Sequence, residues 1–223
     1  GTLLLQSGLG ASAVLWPQRP AIKATHFGIS LVCFASVFLL TRMLYATARG
    51  EPSALPSAAG LPTWFRRATW GTLLGALGVA YLGAYMRHSK AELACYRWPS
   101  CTNDGIAPGF DGAVGVALGH RFAAAALTVA VASLAFAAYR RRRAYPDLFQ
   151  VYAAAFVLIV LQALAGGAVV VTRLELWTTL AHAGIMALLF VCLADACRQV
   201  QVRPVPAPAG RAMLAAASSG LGR

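Results

Sequence analysis

Three histidines, His26, His120 and His182, each fall a few residues into an apolar run. Imidazole is rare inside such runs, and there it marks either a function or an interhelical hydrogen bond. Neutral imidazole is also a ligand for haem iron. Two of the three are related by an internal repeat. Leu5, Gln6, Gly10, Val14, His26, Gly28, Ile29 and Phe34 recur 156 residues later as Leu161, Gln162, Gly166, Val170, His182, Gly184, Ile185 and Phe190. Each copy sets a glutamine twenty residues ahead of its histidine. A duplicated helix pair carrying an imidazole is a frame for metal or haem. The alternative is that each histidine only bonds one helix to its neighbour.

His120 and His182 both lie in the last four apolar runs, so they are the pair expected to share a ligand. A haem between two helices needs a flat slot. Ala123 to Ala126 and Gly166–Gly167 could open one, or could serve close helix packing alone. His26 has no such mate. The residue 156 positions before His120 would fall upstream of Gly1, so the repeat leads us to expect two further spans and one histidine before the chain.

The cysteines divide into two kinds. Cys95 and Cys101 bracket Tyr96-Arg97-Trp98-Pro99-Ser100 in a long loop. A disulfide there would hold that loop over the bundle with about 2–3 kcal/mol of stabilisation. A redox-active dithiol and a metal-binding pair are the other readings. Cys33, Cys192 and Cys197 lie in or at the ends of apolar runs and read as small buried hydrophobes. Arg121, beside His120, suits a carboxylate such as a haem propionate. Arg87, Lys90 and Arg173 could do the same, or could snorkel to lipid headgroups.

The elements that must position these residues are membrane spans. A chain that is 59% hydrophobic and 12% charged, with mean hydropathy +0.65, is not a soluble domain. Six spans are expected over roughly 2–16, 22–45, 68–87, 113–139, 148–171 and 179–197. Lipid requires every backbone group to be satisfied within the segment, so the spans are helices. A net charge of +12 invites a nucleic-acid reading, but the basic residues are placed as membrane anchors, with Arg140 to Arg143 directly after a span. Arg42, Arg49, Arg66, Arg67, Arg140 to Arg143, Arg198, Arg203, Arg211 and Arg223 fall on one side. Arg19, Lys23, Arg87, Lys90, Arg97, Arg121 and Arg173 fall on the other, with Glu92, Asp104, Asp111 and Glu175. The richer side belongs in the cytoplasm, which puts all three histidines near the outer face. The first run lacks the charged start and cleavage site of a signal peptide.

The run Gly83-Ala84-Tyr85-Met86-Arg87-His88-Ser89, then Ala91, Leu93-Ala94-Cys95, Trp98-Pro99 and Cys101, followed by Gly119-His120-Arg121, resembles the haem A synthase family. Leu161-Gln162, Gly166 and Leu180-Ala181-His182-Ala183 continue the likeness over nearly the whole chain apart from the tail and the 46–67 linker. The resemblance implies an all-α polytopic membrane bundle of two repeat-related four-helix units, the first only half present. Residues 1–45 would be the second half of the N-terminal, substrate-haem bundle, and 46–67 a cytoplasmic linker. Residues 68–198 would form the haem b bundle with its outer loop at 88–112, and 199–223 a disordered cytoplasmic tail. The implied enzyme oxidises a methyl group of haem O to the formyl group of haem A by successive hydroxylations, with haem b as cofactor. His120 and His182 resemble the axial ligands of haem b, with Arg121 beside them, and His26 resembles a ligand of the substrate haem. Cys95 and Cys101 resemble the family's loop disulfide. The implied setting is the inner membrane of a bacterium, with the haem sites near its outer face.

The chain departs from the family pattern at the catalytic position. None of its seven acidic residues falls at the outer end of a substrate-side helix, so the catalytic residue is unknown. Candidate partners are a haem O synthase, an electron-transfer protein, the lipid bilayer and a second copy of the chain, with no nucleic acid among them. Two other readings stay open: a non-catalytic haem b electron-transfer or haem-binding subunit, and a transporter or structural bundle whose histidines only hydrogen-bond.

Overall fold

The computed structural model describes residues 1–17, 19–50, 60–103, 105 and 109–201. The tail from 202 onward, the middle of the linker and Asp104 lie outside the described residues. Six helices follow one another: α1 (Thr2–Leu15), α2 (Pro20–Ala48), α3 (Thr63–His88), α4 (Gly112–Tyr139), α5 (Pro146–Val171) and α6 (Leu176–Gln199). A helix stands at each of the six expected spans, in order, and among the described residues there is no strand.

Local chemistry explains the helix ends. Pro20 and Pro146 occupy the first helical positions of α2 and α5, where a missing N–H costs nothing and φ is already set for the helix. The Glu175 carboxylate accepts from the backbone N–H of Trp177 at 2.8 Å and of Thr178 at 3.3 Å, capping α6. At the opposite ends, α3 and α5 close alike. The Ala91 N–H returns to the Met86 carbonyl at 3.0 Å, and that of Leu174 to Val169 at 2.9 Å. Lys90 and Arg173 adopt the left-handed conformation that such closures use.

Two boundaries moved. α2 runs on to Ala48 and α3 starts at Thr63, so both helices reach into the expected 46–67 linker. Arg66 and Arg67 thus ride on helix rather than loop.

Four helices, α2, α4, α5 and α6, are long and apolar enough to cross a membrane. α1 has 14 residues and rises about 21 Å, less than the ~30 Å hydrocarbon core. α3 has the length but is more polar, with Arg66 and Arg67 at one end and Arg87 and His88 at the other. The chain is a polytopic helical membrane protein. Large apolar side chains such as Leu4, Val14, Leu44, Val129 and Trp177 stand on the outside, where a soluble protein would carry charge.

α3, α4, α5 and α6 close a ring in which each helix packs on its two neighbours, while α4 and α6 stand on the diagonal. α2 packs against α3 and α6, and α1 lies on α2. α6 therefore touches three helices, and it is the most buried of the four apolar spans. Its Leu189, Phe190 and Leu193 meet Leu31, Ala76, Val131 and Ile159 in the main core. A second cluster around Phe65, Leu134, Leu148 and Tyr152 closes the end of the bundle away from the histidines, where the Tyr152 hydroxyl donates to Thr69 Oγ1 at 2.8 Å.

Candidate functional site

Three of the four histidines sit at a similar depth. His26 and His182 are the seventh residues of α2 and α6, and His120 is the ninth of α4, about 10–13 Å along each axis. The matched depth expected from spacing is thereby realised, because all three helices enter from the same side. His120 and His182 occupy the diagonal helices.

Each of these three imidazoles rests on a glycine of the preceding helix. A Cβ added at Gly10 would lie 3.2 Å from His26 Cε1, and one at Gly166 would lie 3.1 Å from His182 Cε1. The third pair is tighter: a Cβ at Gly83 would fall 2.9 Å from His120 Cε1. Gly10 and Gly166 belong to the repeat, but Gly83 carried no repeat signal and went unrecognised in the sequence as a contact of His120. Its sequence clues were its place on the helix before that histidine and its position at the head of the family-like run Gly83 to Ser89.

The glutamines complete the repeated geometry. Gln6 Nε2 stands 3.5 Å from His26 Nε2, and Gln162 Nε2 stands 3.3 Å from His182 Nε2. Four residues before Gly83, where the other helices carry glutamine, stands Val79, whose backbone faces His120. The two repeat sites also differ. Gln6 additionally bonds Ser30, which donates to the His26 carbonyl at 2.8 Å, and the residue at the matching position of α6 is the buried Met186. The His26 pocket is thus the more polar.

Several buried polar atoms at these imidazoles have no partner: Nδ1 of His26, His120 and His182, and Oε1 of Gln6 and Gln162. A buried polar group left unpaired is costly, so such a cluster points to a ligand site. The donor set is imidazole from separate helices. Among the described residues no three His, Cys, Asp or Glu gather to hold a bare metal ion. A haem iron needs only one or two protein ligands beyond its own ring nitrogens, and this arrangement fits it.

The loop residues come together above the pair. Cys95 and Cys101 form a disulfide, both cysteines fully buried with Ala117 and Leu118 of α4. Arg121, expected near a carboxylate, directs its guanidinium to the carbonyls of this loop. Arg87 pairs with Glu92 at 2.6 Å. Cys33 and Cys197 are buried as expected, while Cys192 is only partly so.

At the opposite end the spacing hid a polar cluster. Asp195, 2% exposed, is gripped by Arg42 and Arg198, which are themselves 156 residues apart. Extending the repeat eight residues beyond Phe34 and Phe190 would have revealed the two arginines, though not what they hold.

The sequence model of the cytochrome oxidase assembly protein family (COX15-CtaA) matches residues 1–194. Proteins named heme A synthase align with most of the chain. That of Geobacillus thermodenitrificans is 36% identical, with 84% of this chain and 58% of the relative covered. That of Symbiobacterium thermophilum is 40% identical, covering 82% and 60%, and that of Bacillus licheniformis 38%, covering 84% and 61%. The chain thus spans about three fifths of the length of these relatives. With α1 to α5, most of α6, the three matched histidines and both loop cysteines inside the matched residues, the chain belongs to the cytochrome oxidase assembly protein family.

Proposed function

We propose that the chain is haem A synthase-like: a membrane oxidoreductase part that converts haem O to haem A by successive oxidation of a ring methyl to a formyl group. The observation that carries this reading is the cradle described above, three imidazoles at one depth, each seated on a glycine, with their Nδ1 atoms buried and unpaired. The relatives' printed name supports the same assignment.

In this reading His120 and His182 hold haem b from the two diagonal helices, and His26 holds the substrate haem O in the α1–α2 half. Haem b, when bound, supplies a one-electron redox centre. The protein's own part is positional. Gly83 and Gly166 let the rings lie against bare backbone, where a methyl group would displace them. Gln6 and Gln162 stand beside the Nε2 atoms of His26 and His182; one nitrogen cannot hold that bond and iron together, so an Nε2 that took iron would give up its glutamine contact. The apolar walls of α2 to α6 exclude water from the site. The distribution of basic residues supports an outer-face position for this end of the bundle, in a bacterial inner membrane. Domain roles follow: α1–α2 form the substrate side, α3–α6 the haem b bundle, with the linker and tail in the cytoplasm.

The test is expression of the complete reading frame in cells that make haem O, followed by pigment extraction. Haem A together with haem b is the expected outcome. Haem b without haem A would leave a non-catalytic haem b subunit and overturn the synthase reading.

A further inference from the structure

Arg121 follows His120 on α4, and it makes no ion pair among the described residues. Its Nη2 donates to the carbonyls of Cys95 and Arg97, both at 2.8 Å. Its Nη1 donates to those of Ser100 at 3.0 Å and Pro99 at 3.4 Å. Four carbonyls of one short loop therefore converge on a single planar fork of N–H groups. A lysine ammonium, a point charge with three donors, cannot reproduce that pattern.

The same loop makes a second anchorage, on α5. Trp98 lies over Gly167, where an added Cβ would come 2.9 Å from the indole Cδ2 and 3.1 Å from Cε2. Gly167 adjoins Gly166, the glycine against which the His182 ring rests. The disulfide closes the loop between these anchorages. One covalent ring thus ties the residue after His120 to the residue after the seat of His182.

We propose that Arg121 and Trp98 are positioning residues which, through the 95–101 ring, hold the His120 and His182 imidazoles at the separation that retains haem. The proposal rests on the reading that those two histidines ligate haem b. Groups that orient axial ligands from behind are worth roughly tenfold or more in affinity when lost. A packed loop without this role would alter thermal stability and leave the iron's environment unchanged.

The experiment loads the purified full chain with ferric haem b in detergent, then measures two quantities: haem release to excess apomyoglobin and the haem midpoint potential. Arg121→Gln and Trp98→Ala are expected to speed release roughly tenfold and to shift the potential. Arg121→Lys restores neither property, and Trp98→Phe, which keeps a flat ring on Gly167, restores both. In a separate arm the folded, loaded wild type is treated with reductant and its freed thiols are alkylated. The haem is then re-oxidised in air. Faster release is expected here too, with no dependence on how a variant folds. Release and potential unchanged in this arm and in both variants would overturn the proposal while leaving haem ligation intact. Failure of the wild type to hold low-spin haem would overturn the ligand reading itself, and this proposal with it.

Discussion

Arg42 on α2 meets Asp195 on α6 in an ion pair of 2.5 Å. Arg198, one repeat length after Arg42, takes the other carboxylate oxygen at 2.7 Å, and Gln199 Nε2 bonds Asp195 Oδ2 at 2.9 Å. The position matching Asp195 in the first copy is Leu39. A repeated arginine pair thus closes on one unrepeated carboxylate, and the symmetry of α2 and α6 is broken where they meet.

Asp195 should matter more to stability than Arg42. Its side chain is 3% exposed, so Asp195→Ala strands buried donors and should cost about 3 kcal/mol. The Arg42 side chain is 47% exposed and screened, so Arg42→Gln should cost about 1 kcal/mol or less. Thermal unfolding of the detergent-solubilised chain measures both. Equal, small losses would show that the pair does not hold the seam.

Two glycines of α3 separate the cradle from ordinary helix propensity. Gly83→Ala pushes a methyl against His120 and should cost about 1–3 kcal/mol with loss of bound haem. At Gly78 nothing lies within 4 Å, so Gly78→Ala should be neutral or stabilise by up to about 1 kcal/mol. Melting curves and haem titrations on the two variants decide it. A harmless Gly83→Ala would remove the argument that the ring needs bare backbone.

The three histidines should behave differently. His120→Ala and His182→Ala should each abolish the low-spin spectrum of added haem b, because they stand on the diagonal helices of one ring. His26→Ala should keep it, since α2 lies outside that ring. Absorption spectra of the three variants suffice, and a spectrum indifferent to His120 and His182 would assign the histidines to helix–helix bonding alone.

The Tyr152–Thr69 hydrogen bond should respond asymmetrically to deletion. Tyr152→Phe leaves Thr69 Oγ1 still donating to the Phe65 carbonyl at 2.8 Å and should cost about 1 kcal/mol. Thr69→Val strands a fully buried tyrosine hydroxyl and should cost roughly 1–3 kcal/mol. If the tyrosine variant melts lower than the threonine one, the bond is not what orders this region.

Sequence by itself determined the helices, their order and the shared depth of the three histidines. These properties are local: lipid forbids an unsatisfied backbone, and hydropathy marks where each helix runs. The 156-residue offset likewise exposed the Gln–His pairs of Gln6 with His26 and of Gln162 with His182, because duplicated helices keep duplicated contacts. Tertiary structure alone decided that α4 and α6 face across a diagonal, that Gly83 seats His120, that Arg121 turns to loop carbonyls, and that Trp98 reaches Gly167. It also placed Asp195 between its two arginines. Those contacts depend on how each helix is rotated about its axis and which neighbour it meets. That rotation is set by packing among residues far apart in the chain, and the spacing of one helix does not encode it.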